Sequence, residues 1–338
     1  MPFVIFSMPQ SECVKFFLQK DDTVHTVVKL SENGFILAPY DYKDIAFYIP
    51  EKNSEIFDTQ IPIEEKKVSP VVIPNDIKER NKYIKLLDKT IETINNKNAE
   101  KIVLSRFKDF ELENFSLEKL IRQLFSVYPT AFKYIWYHPN TGLWCGATPE
   151  TLVEIDNNSF KTMALAGTQV FKNKSYTAWG QKEQEEQQLV TDSITTNLQK
   201  VTSVLKVSNP YTHRAGQLLH LRTDISGILK TNKATLTSIT SALHPTPAVC
   251  GTPKKFAKEF LNENEGYNRA FYTGFIGPIT NNGTSTLLMV NLRCMKIEGN
   301  IASVFAGGGI THDSQSIEEW EETQNKMQTM LQVLQPML

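Results

Sequence analysis

Cysteine is scarce: Cys13, Cys145, Cys250 and Cys294 lie far apart in 338 residues, with no CxxC and no Cys/His cluster. That spacing argues against zinc and against a disulfide framework, and it suits a reducing, cytoplasmic setting. An excess of either charge is also missing, since 36 Lys and Arg stand against 37 Asp and Glu for a net charge of −1. Without a basic stripe, nucleic acid is not an expected partner. No apolar run approaches the ~18–20 residues of a spanning helix, so no membrane is expected either. The apolar patch Phe3 to Phe6 has no basic residue before it, unlike a signal peptide. Internal repeats, low-complexity tracts and Gly/Ser linkers are absent as well. What remains is an ordinary globular composition, 41% apolar and 22% charged, long enough for one large or two modest domains with a sizeable core.

The first seventy or so residues (1–74) alternate short apolar runs, such as Val24 to Val28 and Ile45 to Ile49, with polar turns. They read as strands without recognisable chemistry. Pro74-Asn75-Asp76 opens a helix carrying Ile77, Ile84, Leu87, Ile91 and Ile94 at helical spacing, closed by Asn95 to Asn98. Lys101-Ile-Val-Leu-Ser-Arg106 is a compact strand, and a short helix follows Ser116. Two strands flank the turn Pro139 to Gly142 between Ala131 and Ile155. A long polar helix is expected over Gln181 to Val207, with shorter ones near Ala234–Leu243 and Lys254–Asn262. A β-meander then runs through Ala270–Ile279, Ser285–Lys296 and Ile301–Phe305, turning at Asn281-Asn282-Gly283 and Glu298-Gly299-Asn300. Gly307 to Gly309 are expected to form a loop into a last helix over Ser316 to Leu334. Hairpins broken by groups of helices argue for an α+β fold with a largely antiparallel sheet.

Candidate chemistry gathers on acidic helices. Glu319, Glu322 and Lys326 share one face of the last helix. Alone, such a face is ordinarily solvated and holds an i,i+4 pair worth a few tenths of a kcal/mol. The three glycines before it change the reading, because glycine lets backbone approach a ligand and offers N–H groups to an anion. Carboxylates beside an anion site would repel the ligand unless a cation bridges them, and Mg²⁺ fits that need. The helix Lys182-Glu-Gln-Glu-Glu186 would supply a second carboxylate, although a Glu/Gln-rich helix is otherwise simply exposed. Lys101 at a strand start is ordinarily an edge residue in solvent, and Glu150 after Pro149 an ordinary first-turn acid. His220 and His244 stand apart from other ligand types and read as core histidines. Arg293 inside the apolar strand Leu287 to Cys294 needs a partner, either a bound carboxylate or an internal acid.

Eight segments in order then carry a resemblance. They are Lys101 to Arg106, Gly146-Ala-Thr-Pro-Glu150, Ala164-Leu-Ala-Gly-Thr168, Lys182 to Glu186, His244-Pro-Thr-Pro-Ala-Val-Cys-Gly251, Asn291-Leu-Arg293-Cys, Phe305 to Ile310 and Glu319-Trp-Glu-Glu-Thr323. Together, from about residue 75 to 338, they resemble the chorismate-utilising enzymes: isochorismate, salicylate, anthranilate and aminodeoxychorismate synthases. The resemblance implies one α+β domain of two antiparallel sheets packed face to face with helices outside, with 1–74 part of the same domain and 75–338 its catalytic region. Lys101 falls where the water-using members keep a Lys, Ala166 replaces the nucleophilic Lys of aminodeoxychorismate synthases, and no tryptophan-binding motif is evident. Ala248-Val249 resembles the isochorismate synthase type.

Isochorismate synthase is therefore the implied activity, with a salicylate synthase or a non-catalytic chorismate-binding paralogue as alternatives. The resemblance implies Lys101 as general base and Glu150 as general acid, with Mg²⁺ on Glu186, Glu322 and Glu319. It implies chorismate contacts from Gly167, Thr168, His220, Ala248, Arg293, Gly307, Gly308 and Lys326, with Gly167 leaving room for the departing hydroxyl. A monomer without an amidotransferase subunit is expected. One departure is visible: the family's Lys-Asp-x-His-Glu-His is here Lys182-Glu-Gln-Glu-Glu186-Gln, which keeps the ligand position and loses both histidines.

Overall fold

The structure is a computed structural model that describes residues 1–27, 29–41, 44–62, 69–171, 178–215, 218–230 and 235–338. Strands β1 (Phe3–Ser7), β2 (Cys13–Gln19), β3 (His25–Thr26), β4 (Gly34–Ala38), β5 (Phe47–Pro50) and β6 (Ser54–Gln60) come first. Helix α1 (Ile77–Asn95), strand β7 (Lys101–Glu111), helix α2 (Leu117–Ser126) and strands β8 (Phe132–His138), β9 (Gly142–Thr148), β10 (Thr151–Asp156) and β11 (Ser159–Val170) follow. Then come α3 (Gln181–Leu198), β12 (Thr202–Val207), β13 (Tyr211–Ala215), β14 (Leu218–Leu229), α4 (Leu236–Leu243), β15 (Gly251–Thr252) and α5 (Lys254–Asn264). Strands β16 (Phe275–Thr280), β17 (Ser285–Val290), β18 (Cys294–Glu298) and β19 (Ile301–Ile310) lead to α6 (Ser316–Leu334). Local chemistry sets several of these bounds. The Asp76 carboxylate accepts from the N–H groups of Lys78 and Glu79 at the start of α1, and Ser116 accepts from Lys119 at the start of α2.

The strands form two antiparallel sheets. The nine-stranded one runs β15-β7-β19-β18-β9-β8-β1-β2-β6 and the ten-stranded one β12-β14-β11-β10-β17-β16-β4-β5-β3, with β13 pairing off β14. Their inner faces meet in an aromatic layer, where Phe6, Phe132, Trp136 and Trp144 of one sheet pack on Phe35 and Ile276 of the other. Helices α2 and α6 cover the outside of the nine-stranded sheet through Leu120, Leu124, Met327, Met330 and Leu331. On the ten-stranded sheet, α3 and α4 do the same through Val190, Ile194, Ile239 and Leu243. Helices α1 and α5 close over β7 with Leu87, Ile94, Ala257 and Leu261. The expected two-sheet α+β architecture is the one observed, and the first sixty residues contribute strands to both sheets. Among the described residues, no helix is long and apolar enough to cross a membrane.

The departures from expectation lie where the chain changes sheets. Ser285–Lys296 is not one strand: β17 belongs to the ten-stranded sheet and β18 to the nine-stranded one, and Asn291 to Arg293 cross between them, Arg293 with φ 47°. Pro149 and Glu150 make the companion crossing from β9 to β10. The crossings are pinned to each other, Val290 N–H donating to Glu150 O at 2.9 Å and Ala147 N–H to Arg293 O at 3.0 Å. Ala270–Ile279 likewise starts as tight turns, with Ala270 and Thr273 at positive φ, before β16 begins at Phe275. The polar helix ends at Leu198 rather than Val207, because Val204 and Val207 are β-branched residues paired with β14. The three glycines are not a loop but the last part of β19, paired with Val103, Leu104 and Ser105 of β7.

Phe132 is fully buried and its ring stands 6.1 Å from that of Phe6 and 6.4 Å from that of Phe35. Phe132→Ala is expected to lower unfolding stability by about 3–5 kcal/mol, the usual result of emptying an aromatic core site. Urea denaturation of the two proteins checks it, and a loss below 1 kcal/mol would show that the inter-sheet layer collapses to refill the space.

Candidate active site

The sheets part at the end where β7 and β19 begin and end, and the opening is a cleft of about 920 Å³, in part continuous with solvent. Each of the expected site residues lines it except Thr168, which lies on β11 with its side chain outside the described residues. Lys101 contradicts the edge reading: it is 1% exposed, and its Nζ donates to Glu186 Oε1 at 2.7 Å. Glu150 is not a helix acid but a crossover residue, 5% exposed. Burial raises its pKa to about 7, against the lowering influence of Lys101, Arg293 and Lys326. A carboxyl held neutral at that pH can donate a proton.

Arg293 reaches the cleft from the second crossing, and among the described residues it makes no ion pair. The crossing is rigid because buried Asn291 accepts from Tyr134 Oη at 2.6 Å and donates to Phe271 O at 2.8 Å. His220, buried in the cleft wall, holds its Nδ1 2.9 Å from Gly167 O. A carbonyl only accepts, so the proton sits on Nδ1 and Nε2 is an acceptor. Burial, with Arg293 and Lys326 beside it, lowers the His220 pKa to about 3, so the ring is neutral. His244 does pack as a core histidine, its Nε2 3.2 Å from Pro39 O and 3.1 Å from Tyr40 O.

Gly167 lines the cleft and also has a packing reason. Its φ is +65°, and an added Cβ would come 3.1 Å from Glu183 Cβ, so the glycine serves the close approach of α3 to β11. Its N–H donates to Glu186 Oε2 at 3.1 Å, fixing that carboxylate from the side away from Lys101. At the second of the two positions where the resembling motif has histidine stands Gln187, buried and donating to Ala164 O and Thr223 Oγ1 at 3.0 Å each. A glutamine thereby locks α3 to β11 and β14 and aims Glu186.

Strand β18 pairs with β19 only as far as Val304, so the edge at the glycines is left to other partners. Lys326 Nζ takes Gly307 O at 2.8 Å and Glu322 Oε1 at 2.5 Å. Successive strand residues point to opposite sides. A Cβ on Gly308 would lie 3.1 Å from Glu319 Oε2 and 3.7 Å from Glu322 Oε1, and one on Gly309 2.6 Å from Glu186 Oε1. The bare strand thus lets carboxylates of α3 and α6 approach from two sides. No three His, Cys, Asp or Glu side chains form a ready metal cage among the described residues. Mg²⁺ requires less, one or two carboxylates with ligand and water oxygens, and this donor set with its cradle fits it.

Several contributors escaped the sequence reading. Glu183 lines the cleft, and so does Tyr272, whose ring lies against Phe305 with centroids 5.2 Å apart. No period or motif marked Tyr272, because it sits in the irregular turns before β16. Behind this wall Arg269 is 3% exposed and ion-paired with Glu265. Its guanidinium donates to Val249 O and Val103 O at 2.7 and 2.6 Å, tying together two segments that line the cleft.

Comparison with known proteins agrees with this geometry. Residues 21–335 match the family described as chorismate binding enzyme. Isochorismate synthase EntC of Escherichia coli is 31% identical over 249 residues, 70% of this chain and 62% of that protein. Isochorismate synthase MenF of Haemophilus influenzae is 33% identical over 203 residues, 58% of this chain and 46% of that protein. The matched region therefore spans less than two thirds of these relatives' length. The fold is that of a crystal structure described as a putative 2,3-dihydroxybenzoate-specific isochorismate synthase from Bacillus anthracis, with a TM-score of 0.84, 24% identity, and 99% and 96% of the two chains covered. Anthranilate synthase component I of Streptococcus pneumoniae gives 0.72 at 19% identity, covering 98% and 92%.

The raised pKa of Glu150 has a measurable consequence. Between its unfolded value of 4.5 and about 7, the folded protein binds more protons than the unfolded one, so stability falls as pH rises through that window. Glutamine does not ionise. The stability of Glu150→Gln relative to the parent is expected to improve from pH 5 to pH 8 by up to about 3 kcal/mol. Denaturant midpoints at both pH values decide it, and an unchanged difference would mean that Glu150 titrates normally.

Proposed function

The chain belongs to the chorismate-binding enzymes, and on that premise we propose that it is an isochorismate synthase, converting chorismate to isochorismate reversibly. The observation that carries the reading is Lys101, an amine buried in the same cleft as a carboxyl that burial keeps protonated to about pH 7. One reaction that uses a base and an acid together is addition of water at ring carbon 2 with loss of the hydroxyl on carbon 4. Lys101 takes the proton from water, for which it must present a free amine, and Glu186 Oε1 at 2.7 Å holds that nitrogen in place. Glu150 gives its proton to the departing hydroxyl, which leaves as water. The bond to the incoming oxygen forms, the bond to carbon 4 breaks, and the ring double bonds shift between them.

The rest of the cleft binds and orients. Arg293 offers a planar fork to one carboxylate of the substrate. Lys326, already on Gly307 O, stands beside it at the glycine edge. Neutral His220 can accept a hydrogen bond from a substrate hydroxyl at Nε2, and Ala248 leaves that wall without a further polar group. Mg²⁺ on Glu186 and Glu322, with Glu319 behind them, would neutralise the other substrate carboxylate against this acidic lining. Because Lys101 serves water, no ammonia-supplying subunit is required.

Exchange of one hydroxyl for another on an isomeric ring is close to balanced. The purified protein with Mg²⁺ is expected to bring chorismate and isochorismate to one mixture from either side, with a ratio within about tenfold of unity, equivalent to about 1.4 kcal/mol. NMR of the mixture reads the ratio, and stoichiometric pyruvate with salicylate would overturn the reading in favour of a salicylate synthase. Lys101→Ala should cost several orders of magnitude in turnover with little change in chorismate binding, since a base acts mainly in the transition state. Near-parental turnover in that variant would place the base elsewhere.

A further inference from the structure

The acids of α6 sit on the half of the helix that has the least to hold it. From Met327 onward, Met327, Met330, Leu331, Val333 and Leu334 are buried in the core with α2 and the nine-stranded sheet. Before that point the buried residues are Glu319, Trp320 and Thr323, of which one is apolar. Yet this is the half that presents Glu319, Glu322 and Lys326 to the cleft. At ~100° per residue, the stripe of Trp320, Thr323 and Gln324 lies about a third of a turn away from the acidic one. A roll of ~20° about the axis, at a side-chain radius of ~6 Å, would move a carboxylate about 2 Å. Productive geometry tolerates only about 0.5 Å. Something must fix the roll.

Arg106 occupies that position. It extends from β7 on the face opposite Lys101 and Val103, and it is 6% exposed. Its Nε donates to Thr323 Oγ1 at 2.8 Å and its Nη2 to Gln324 Oε1 at 2.5 Å. The guanidinium carbon stands 3.9 Å from the centroid of the Trp320 ring. Three contacts on one helix face, two directional and one planar, resist rotation in a way that apolar packing alone does not. The third nitrogen is tied to Glu79 of α1 at 2.5 Å, and Lys108 takes the other oxygen of Glu79 at 2.6 Å, so the fork itself cannot swing.

We propose that Arg106 is a positioning residue of this site, holding the first half of α6 in the rotation that aims Glu319, Glu322 and Lys326 at the cleft. The inference rests on the reading of that face as the metal and substrate face, so its test is built to fail separately. Arg106→Met is compared with Met330→Ala, which loosens the other half of the helix. The readouts are amide exchange along α6 and the affinity for Mn²⁺, an octahedral oxygen-ligated stand-in for Mg²⁺, followed by electron paramagnetic resonance.

In Arg106→Met, exchange over 317–326 should rise by ~10-fold or more while 327–334 keeps the parental pattern, and the Mn²⁺ dissociation constant should rise ~10–100-fold. Arg106→Lys, which keeps the charge and loses the fork, should recover only part of either. Met330→Ala should lower the melting temperature with Mn²⁺ affinity unmoved. Parental exchange over 317–326, or parental Mn²⁺ affinity in a loosened helix, would overturn the proposal. Should Arg106→Met not fold, Thr323→Val with Gln324→Ala must give the same pattern in weaker form, and its absence is equally fatal. A parent protein that binds no Mn²⁺ would remove the metal reading, and the exchange pattern alone would then decide the role of Arg106.

Discussion

The buried contact between Lys101 and Glu186 is the constraint around which the rest is arranged. Lys101 belongs to the nine-stranded sheet and Glu186 to a helix that packs on the ten-stranded one, so a single ion pair joins the two halves where they part. Two charges out of water are tolerated only when they meet, and removing one partner commonly costs ~3–5 kcal/mol. To let them meet, β19 carries no side chain at Gly309, α3 presses on Gly167, and Gln187 holds the helix from behind.

The sequence and the structure agree best where chemistry is local. Asp76 and Ser116 announce helix starts through their own side chains, and the turn at Pro139 to Gly142 announces a hairpin. They disagree where a decision is made at a distance. An apolar run from Ser285 to Lys296 has one period throughout, and nothing in that period says that its two ends join different sheets. Three glycines resemble a loop until β7 supplies a ladder for them. The acids and the basic residues of the cleft were legible because they sit in ordered motifs, although their burial was not. Arg269, Tyr272 and Gln187 act through contacts over many residues and leave no local pattern.

Charge is layered through this part of the molecule. The cleft surface carries Glu186, Glu319 and Glu322 with Lys101 and Lys326. Behind it stand two arginines, each locked to its own glutamate: Arg106 with Glu79, and Arg269 with Glu265. The rear pairs are closed by neighbouring hydroxyl, amide and carbonyl groups, so they are fixed. The front pairs each add a backbone contact, Gly167 N–H on Glu186 and Gly307 O on Lys326, and they face the cleft, where a ligand can meet them. Arg, with its planar fork, is suited to the first task, and Lys, a point charge on a flexible stem, to the second.

The paired crossings carry a mechanical consequence. Strands within a sheet are bound edge to edge and move together, whereas the segments at Glu150 and at Asn291 to Arg293 belong to both sheets at once. Any slide of one sheet over the other is absorbed there first. Glu150 and Arg293, which both line the cleft, ride on those two segments, and mutual hydrogen bonds make them move as one. The sandwich is therefore a lever whose short arm is the cleft: a small shear across the aromatic layer would carry Glu150 and Arg293 together past the wall that holds Lys101.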